Sequence, residues 1–392
     1  MTPPRITGSP RVGRRTAKRP PHLEAVDIFS HRVINASGHM TSLGGSTLSA
    51  GVVEAMRRAA GQYCDMERLH DDAAAAIAEA TGAAAALIVG SASAGIALGV
   101  AASIVGADPR RVRQVPFVEE GERRVVIQTG HLVDFGAQIA QMIRLGGGVV
   151  HAVGAVNRTD RRELEAVVRT HPAALVYVQS HHAVQKGMLP LEFCLDTAHA
   201  ARVPVLVDAA AEEDLRRYAA LGADLVIYSG GKAFLGPTSG IVCGRRDLVV
   251  GVRAQHRGIG RAMKVGKEAI AGLLEALREY TATDHASARF AHRAVVRRLV
   301  AAFGVHGGAA AAIVRDEVRP EIERAELRFD GAGARDRAQR LVDFLRGWEP
   351  PVWTRDHHLA EGAVAFDPRP LFPEDVDVII AAVAAFFRGR RT

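Results

Sequence analysis

The stretch 203–244, VPVLVDAAAEEDLRRYAALGADLVIYSGGKAFLGPTSGIVCG, constrains the fold of this chain more than any other. Its first apolar block, Val203 to Val207, is short and β-branched and ends in Asp208, the pattern of a buried parallel strand with an acid at its carboxyl end. A helix-like segment separates it from a second block, Ala223 to Tyr228, which runs into Ser229, Gly230, Gly231 and Lys232. A lysine is thereby presented just past a second strand, on a turn that two glycines keep free of side chains. Open α/β sheets bind ligands beyond the carboxyl ends of their strands, so Asp208, Ser229 and Lys232 converge on one crevice.

Apolar surroundings disfavour the ammonium form of a lysine, and the neutral amine can then form a Schiff base with an aldehyde. Pyridoxal 5'-phosphate is the aldehyde that suits this pattern, because it also needs an anion against its pyridine nitrogen and Asp208 ends the preceding strand. Taken alone, the two residues admit a plainer account, in which Asp208 caps the following helix and Lys232 lies on a surface loop.

The longer pattern breaks that tie. VDAAAEEDL followed by GADLVIYSGGKAFLGPTSG resembles the lysine region of fold-type I pyridoxal phosphate enzymes related to bacterial selenocysteine synthase, L-seryl-tRNA(Sec) selenium transferase, and within them the D-glucosaminate-6-phosphate ammonia-lyase branch. The resemblance implies an α/β fold with a predominantly parallel sheet in a large domain and a smaller C-terminal α+β domain. It also implies that Lys232 is the Schiff-base residue and that Asp208 contacts the pyridine nitrogen.

The order of elements along the chain agrees with that expectation. From Ala84 to Val242 short apolar runs alternate with helical segments, as in a mostly parallel sheet covered on both faces. Ala84 to Val89 leads into Gly90-Ser91-Ala92-Ser93-Ala94-Gly95 and a helical run. Small residues opening a helix after a strand make an anion site, which assigns Ser91, Ala92 and Ser93 to a phosphate cup. Val125 to Gln128 ends in Thr129-Gly130-His131, and the resemblance implies that His131 stacks on the cofactor; a histidine that is merely packed is the competing account.

The string after Ala174 to Val178 reads QSHHAVQKGML. Two adjacent histidines without a third ligand do not make a zinc site. By its match to the ammonia-lyase branch, Ser180 and His181 should lie near the cofactor or substrate, with His182 and Lys186 serving substrate specificity. Further on, Arg261 and Lys264 stand where the related transferases carry an R-A-x-R pair for anionic substrate groups. Near the start, Asn35-Ala36-Ser37-Gly38-His39-Met40 and Leu43-Gly44-Gly45-Ser46 match the segment that lines the family's active-site mouth. Tyr63 to Glu67 runs almost directly into a helix, so the arginine-rich loop of selenocysteine synthases is short here and selenium transfer loses support.

Composition sets the remaining bounds. Six of the seven net positive charges lie in residues 1–22, which hold Arg5, Arg11, Arg14, Arg15, Lys18 and Arg19 and no acid. Interleaved with five prolines, that tail is expected to be disordered, and the rest is nearly neutral, which argues against nucleic acid as a partner. No apolar run reaches the ~18 residues of a membrane span, and three unpaired-looking cysteines suit a reducing cytoplasm. The expected division is a tail (1–22), a large cofactor-binding domain (23–250) and a small C-terminal domain (251–392). Fold-type I sites are completed by a neighbouring subunit, so a homodimer is the minimum expected.

Pyridoxal phosphate leaves the reaction open. The resemblance implies α,β-elimination on a 2-amino-3-hydroxy acid, such as D-glucosaminate 6-phosphate, with Lys232 as the base at Cα. A racemase or epimerase would instead reprotonate Cα from the other face, with His131 or another histidine supplying the second proton. Use of the basic tail by a cofactor-free interaction protein would leave the lysine region idle.

Overall fold

The computed structural model describes residues 31–179, 185–316 and 319–389. The tail 1–22 and the site candidates Ser180, His181 and His182 lie outside the described residues. The strands are β1 (Ile34–Ala36), β2 (Ala85–Val89), β3 (Arg124–Gln128), β4 (Val149–Val153), β5 (Ala174–Val178), β6 (Val205–Asp208), β7 (Leu225–Ser229), β8 (Gly240–Gly244), β9 (Ala310–Arg315), β10 (Glu323–Arg328), β11 (Val352–Thr354) and β12 (Ala363–Phe366).

The large sheet runs β2-β8-β7-β6-β5-β3-β4. All its neighbours are parallel except β8, which is antiparallel to both β2 and β7. The exception has a simple cause. Residues 230–239 link β7 to β8 without a helix, and a parallel return needs a crossover of a dozen or more residues. The lysine loop is therefore a tight return at the carboxyl end of β7, with Lys232 near its start.

Both faces of the sheet are covered, which is why β5 is buried along its whole length. The Ala92–Val105 helix is apolar nearly all round and almost wholly buried. A Cβ at Gly95 would stand 2.8 Å from the Ile227 side chain and one at Gly99 3.1 Å from Leu206. The helix thus lies directly on β6 and β7, with its N-terminus beside β8 at the end of the sheet where Asp208 and Lys232 emerge.

A second layer is built on the antiparallel sheet β12-β10-β9. Its core joins Leu327, Phe366, Leu341 and Phe303 to Ile34 and Ala36. Strand β1 pairs in parallel with β11, so the chain's first described strand belongs with the small layer. Conversely, the Lys267–Ala282 helix buries Leu273 and Leu277 in the large sheet's core. Packing therefore shifts the expected 23–250 and 251–392 division at both ends, because apolar faces and not chain order decide which layer a segment joins. Among the described residues no helix is long and apolar enough to cross a membrane.

Candidate active site

Lys232 is half-buried at the mouth of the lysine loop. Burial lowers its pKa, Asp208 opposes that shift, and the Arg319 guanidinium adds to it. Asp208 ends β6, opposite Ile227 of β7 on one side and Val178 of β5 on the other. Burial raises its pKa, against the Ala210 N–H at 3.1 Å and the charge of Lys232. Each group biases the other's ionisation, and no direct ion pair joins amine and carboxyl.

The proposed phosphate cup follows from local chain chemistry. Ser91 caps the Ala92–Val105 helix, its Oγ accepting the Ala94 N–H at 3.0 Å. The N–H groups of the first turn lack intrahelical partners and share the positive end of the helix dipole. A Cβ at Gly240 would meet Ser91 backbone at 2.4 Å, so β8 passes this turn only because residue 240 has no side chain. Ser229 lies at the end of β7, its N–H donating to Ala210 O at 3.2 Å. An amine, a carboxyl and a helix N-terminus at one end of one sheet suit the aldehyde, pyridine nitrogen and phosphate of pyridoxal phosphate.

The 35–46 segment closes over this crevice. Gly45, at φ +81°, passes so close to the lysine loop that a Cβ would stand 2.7 Å from Gly231 O. Ser46 Oγ donates to Gly236 O at 3.3 Å. Together with Lys232, Ser37, His39 and Met40 line a tight recess.

Facing Lys232 across that recess is a group of arginines from the second layer that sequence reasoning missed. Arg319, Arg355 and Arg369 line the recess, and Arg324 stands beside them in the adjoining chamber. Asp367, fully buried, binds Arg324 Nε at 2.9 Å and Arg369 Nη2 at 2.8 Å. Asp316 binds Arg324 at 2.9 Å, and Glu213 lies 3.4 Å from Arg369 and 3.8 Å from Arg319. Among the described residues, four guanidiniums and the carboxylates of Asp316, Asp367 and Glu213 thus stand together beside the amine. Burial and the neighbouring Arg324 and Arg369 hold Arg355 down to about 10. No motif announces this cluster. The sequence shows only Arg324 within the charged strand β10 and Asp367-Pro368-Arg369 after the apolar β12.

The chamber that opens from the recess has a volume of about 1360 Å³ and is lined by Lys232, His39, Lys186, Arg324, Arg355 and His357 among others. Lys186 accordingly stands where a specificity residue could act.

Three other candidates are Arg261, Lys264 and His131. Arg261 and Lys264 line a separate cavity of about 730 Å³, with Arg113, Arg257 and His70, in which Lys232 takes no part. Their turn touches the cup only through backbone, Gly90 N–H donating to Met263 O at 3.2 Å. Within one chain they are exposed and line that cavity, not the recess or chamber that holds Lys232. His131 is fully enclosed, with its ring edge-on to Tyr177. Burial holds it down to about 4, so it is neutral at ordinary pH.

Comparison with known proteins agrees with this geometry. The family model for L-seryl-tRNA selenium transferase matches residues 33–302. A 5'-C-glycyluridine monooxygenase-decarboxylase from a Streptomyces species is 41% identical over 95% of this chain and 93% of its own. The D-glucosaminate-6-phosphate ammonia lyase of Salmonella typhimurium is 40% identical over 89% of this chain and 94% of its own. A solved D-glucosaminate-6-phosphate ammonia-lyase superposes with a TM-score of 0.84 at 38% identity, covering 93% of this chain and 99% of that one. Serine palmitoyltransferase with pyridoxal phosphate shares the fold alone, at a TM-score of 0.59 and 15% identity, over 91% of this chain and 88% of its own. The chain belongs to the L-seryl-tRNA selenium transferase family and is a pyridoxal-phosphate-dependent lyase of fold type I.

Proposed function

We propose that this enzyme carries out α,β-elimination on a 2-amino-3-hydroxy acid bearing a second anionic group, with an aminosugar acid phosphate such as D-glucosaminate 6-phosphate as the best candidate. The products are the 2-keto-3-deoxy acid and ammonia. The observation that carries the reading is the cluster of guanidiniums facing Lys232 at the base of a chamber large enough for a sugar acid.

Bound through Lys232, pyridoxal phosphate supplies a sink for the electron pair left when Cα loses its proton. Asp208 would hold the ring nitrogen and the Ser91–Ser93 turn the phosphate. Arg319, Arg355 and Arg369 would hold the substrate carboxylate, which fixes Cα against the amine. With its pKa lowered by burial, the Lys232 amine accepts the Cα proton. The resulting ammonium can then donate to the leaving β-hydroxyl. Net, one water is lost across Cα–Cβ and one is regained as the nitrogen departs as ammonia.

Arg261 and Lys264 enter this reading through a second copy of the chain, in which their cavity would complete the neighbour's site. A homodimer is thus the proposed working unit, and a cytoplasmic location fits three cysteines that are all unpaired.

The purified holoenzyme should release ammonia and 2-keto acid from at least one member of a panel of 2-amino-3-hydroxy acids, aminosugar acids and their phosphates. The Streptomyces relative supports a second reading, oxidative decarboxylation at Cα. Dioxygen uptake with carbon dioxide release, and no ammonia, on an α-amino acid would replace the first reading with that one.

A further inference from the structure

A closed ring of hydrogen bonds surrounds His131, and it passes through both backbone groups of one residue. The Val178 N–H donates to His131 Nδ1 at 3.3 Å. His131 Nε2 lies 3.1 Å from Gln185 Oε1, and Gln185 Nε2 donates to Val178 O at 2.8 Å. Because a carbonyl can only accept, the last bond fixes which way the Gln185 amide points. Its oxygen must then face the imidazole, and the Tyr177 hydroxyl donates to that same oxygen at 3.3 Å. Because a backbone N–H can only donate, Nδ1 must carry a lone pair. Every choice in the ring is therefore forced, and the forced state has the proton on Nε2.

We propose that Gln185 is a positioning residue that holds His131 as the neutral Nε2–H tautomer, so that this imidazole carries no proton to or from the substrate's Cα. The ring is anchored on Val178, the β5 residue in register with Asp208, so the lock is built into the strand beside the cofactor's acid. Protonating Nδ1 would set one N–H against another in a fully enclosed space. Among the described residues, the groups facing the ring are the Tyr177 phenol, the Gln185 amide and backbone, and no charged side chain of these contributes to its ionisation. The proposal rests on the elimination reading for its meaning at Cα: it removes one of the histidines that a two-base racemase could have used. The tautomer itself stands apart from any substrate.

The test uses holoenzyme labelled with ¹⁵N-histidine, with His131→Asn identifying the resonances. In the wild type the Nδ1 signal should remain that of an unprotonated nitrogen between about pH 5.5 and 8.5. Gln185→Glu places a carboxylate against Nε2 and should raise the titration by more than about one pH unit. Gln185→Leu removes the Nε2 partner that holds the ring against the Val178 N–H, so the imidazole should turn and give a mixture of tautomers. With a substrate in D₂O, the wild type should exchange Cα on one face only, whereas Gln185→Glu should begin to scramble it. Protonation of wild-type His131 near neutrality, an Nδ1–H tautomer, or indifference to both substitutions would overturn the proposal. Should Gln185→Glu fail to fold, the wild-type spectrum and Gln185→Leu still decide. A failure of the elimination reading would appear as absent ammonia release, with the tautomer result unaffected.

Discussion

Replacing Asp367 by asparagine separates what the arginine cluster does for stability from what it does for the substrate. Asp367 is fully buried and accepts from Arg324 Nε and from Arg369 Nε and Nη2, the latter two at 2.9 and 2.8 Å. Burial alone would raise its pKa, yet the Arg369 and Arg324 guanidiniums outweigh burial and hold it well below the usual carboxylate value. Breaking a buried ion pair by removing one partner costs roughly 3–5 kcal/mol. Asparagine keeps one acceptor oxygen, so the low end, about 3 kcal/mol or roughly a hundredfold in the folding equilibrium, is expected. Because the folded-state pKa is depressed, this contribution is fully present above the unfolded value of about 4 and fades as pH falls through the folded value. Urea unfolding of wild type and Asp367→Asn should therefore differ by about 3 kcal/mol at pH 7 and converge in strong acid. Meanwhile the cluster loses one negative charge, so KM for an anionic substrate should hold or fall while stability drops. Equal stability at pH 7, or a gap that widens in acid, would refute the assignment of Asp367 as the anion on which the arginines are built.

Other substitutions follow from the same geometry. Lys232→Ala should abolish the yellow cofactor absorbance and lower turnover by at least ~10³-fold, read by spectrum and ammonia release. Asp208→Asn should keep the lysine linkage but lose the anion at the ring nitrogen, so kcat should fall by roughly 10²-fold or more while absorbance persists. Gly45→Val should cost about 1–3 kcal/mol and loosen the recess, since a β-branched residue at φ +81° would also strike Gly231 O; thermal unfolding measures it. Arg261→Gln with Lys264→Gln, mixed with Lys232→Ala protein, should recover about a quarter of wild-type activity if the two sites combine across a dimer, and none if each chain is self-sufficient at this position.

The local pattern of residues 84–244 was enough to establish a predominantly parallel sheet, a lysine on the loop after one of its strands, and an acid at the end of the neighbouring strand. Each of those features is written in short-range periodicity and turn chemistry, and the Asp208–Lys232 pair needs only adjacent strands to meet. Tertiary structure alone decided the rest. Arg319, Arg324, Arg355 and Arg369 are spread over fifty residues of a different layer, and nothing local marks them as one cluster until β10 and β12 pair and Asp367 is buried between them. The same distinction sent Arg261 and Lys264 elsewhere: a basic turn reads as substrate-binding from its composition, but which cavity its side chains line depends on how the chain packs. His131 shows the boundary most sharply, since its position after β3 is legible in the chain, while its protonation state is set by Val178 and Gln185, which only folding brings to its two nitrogens.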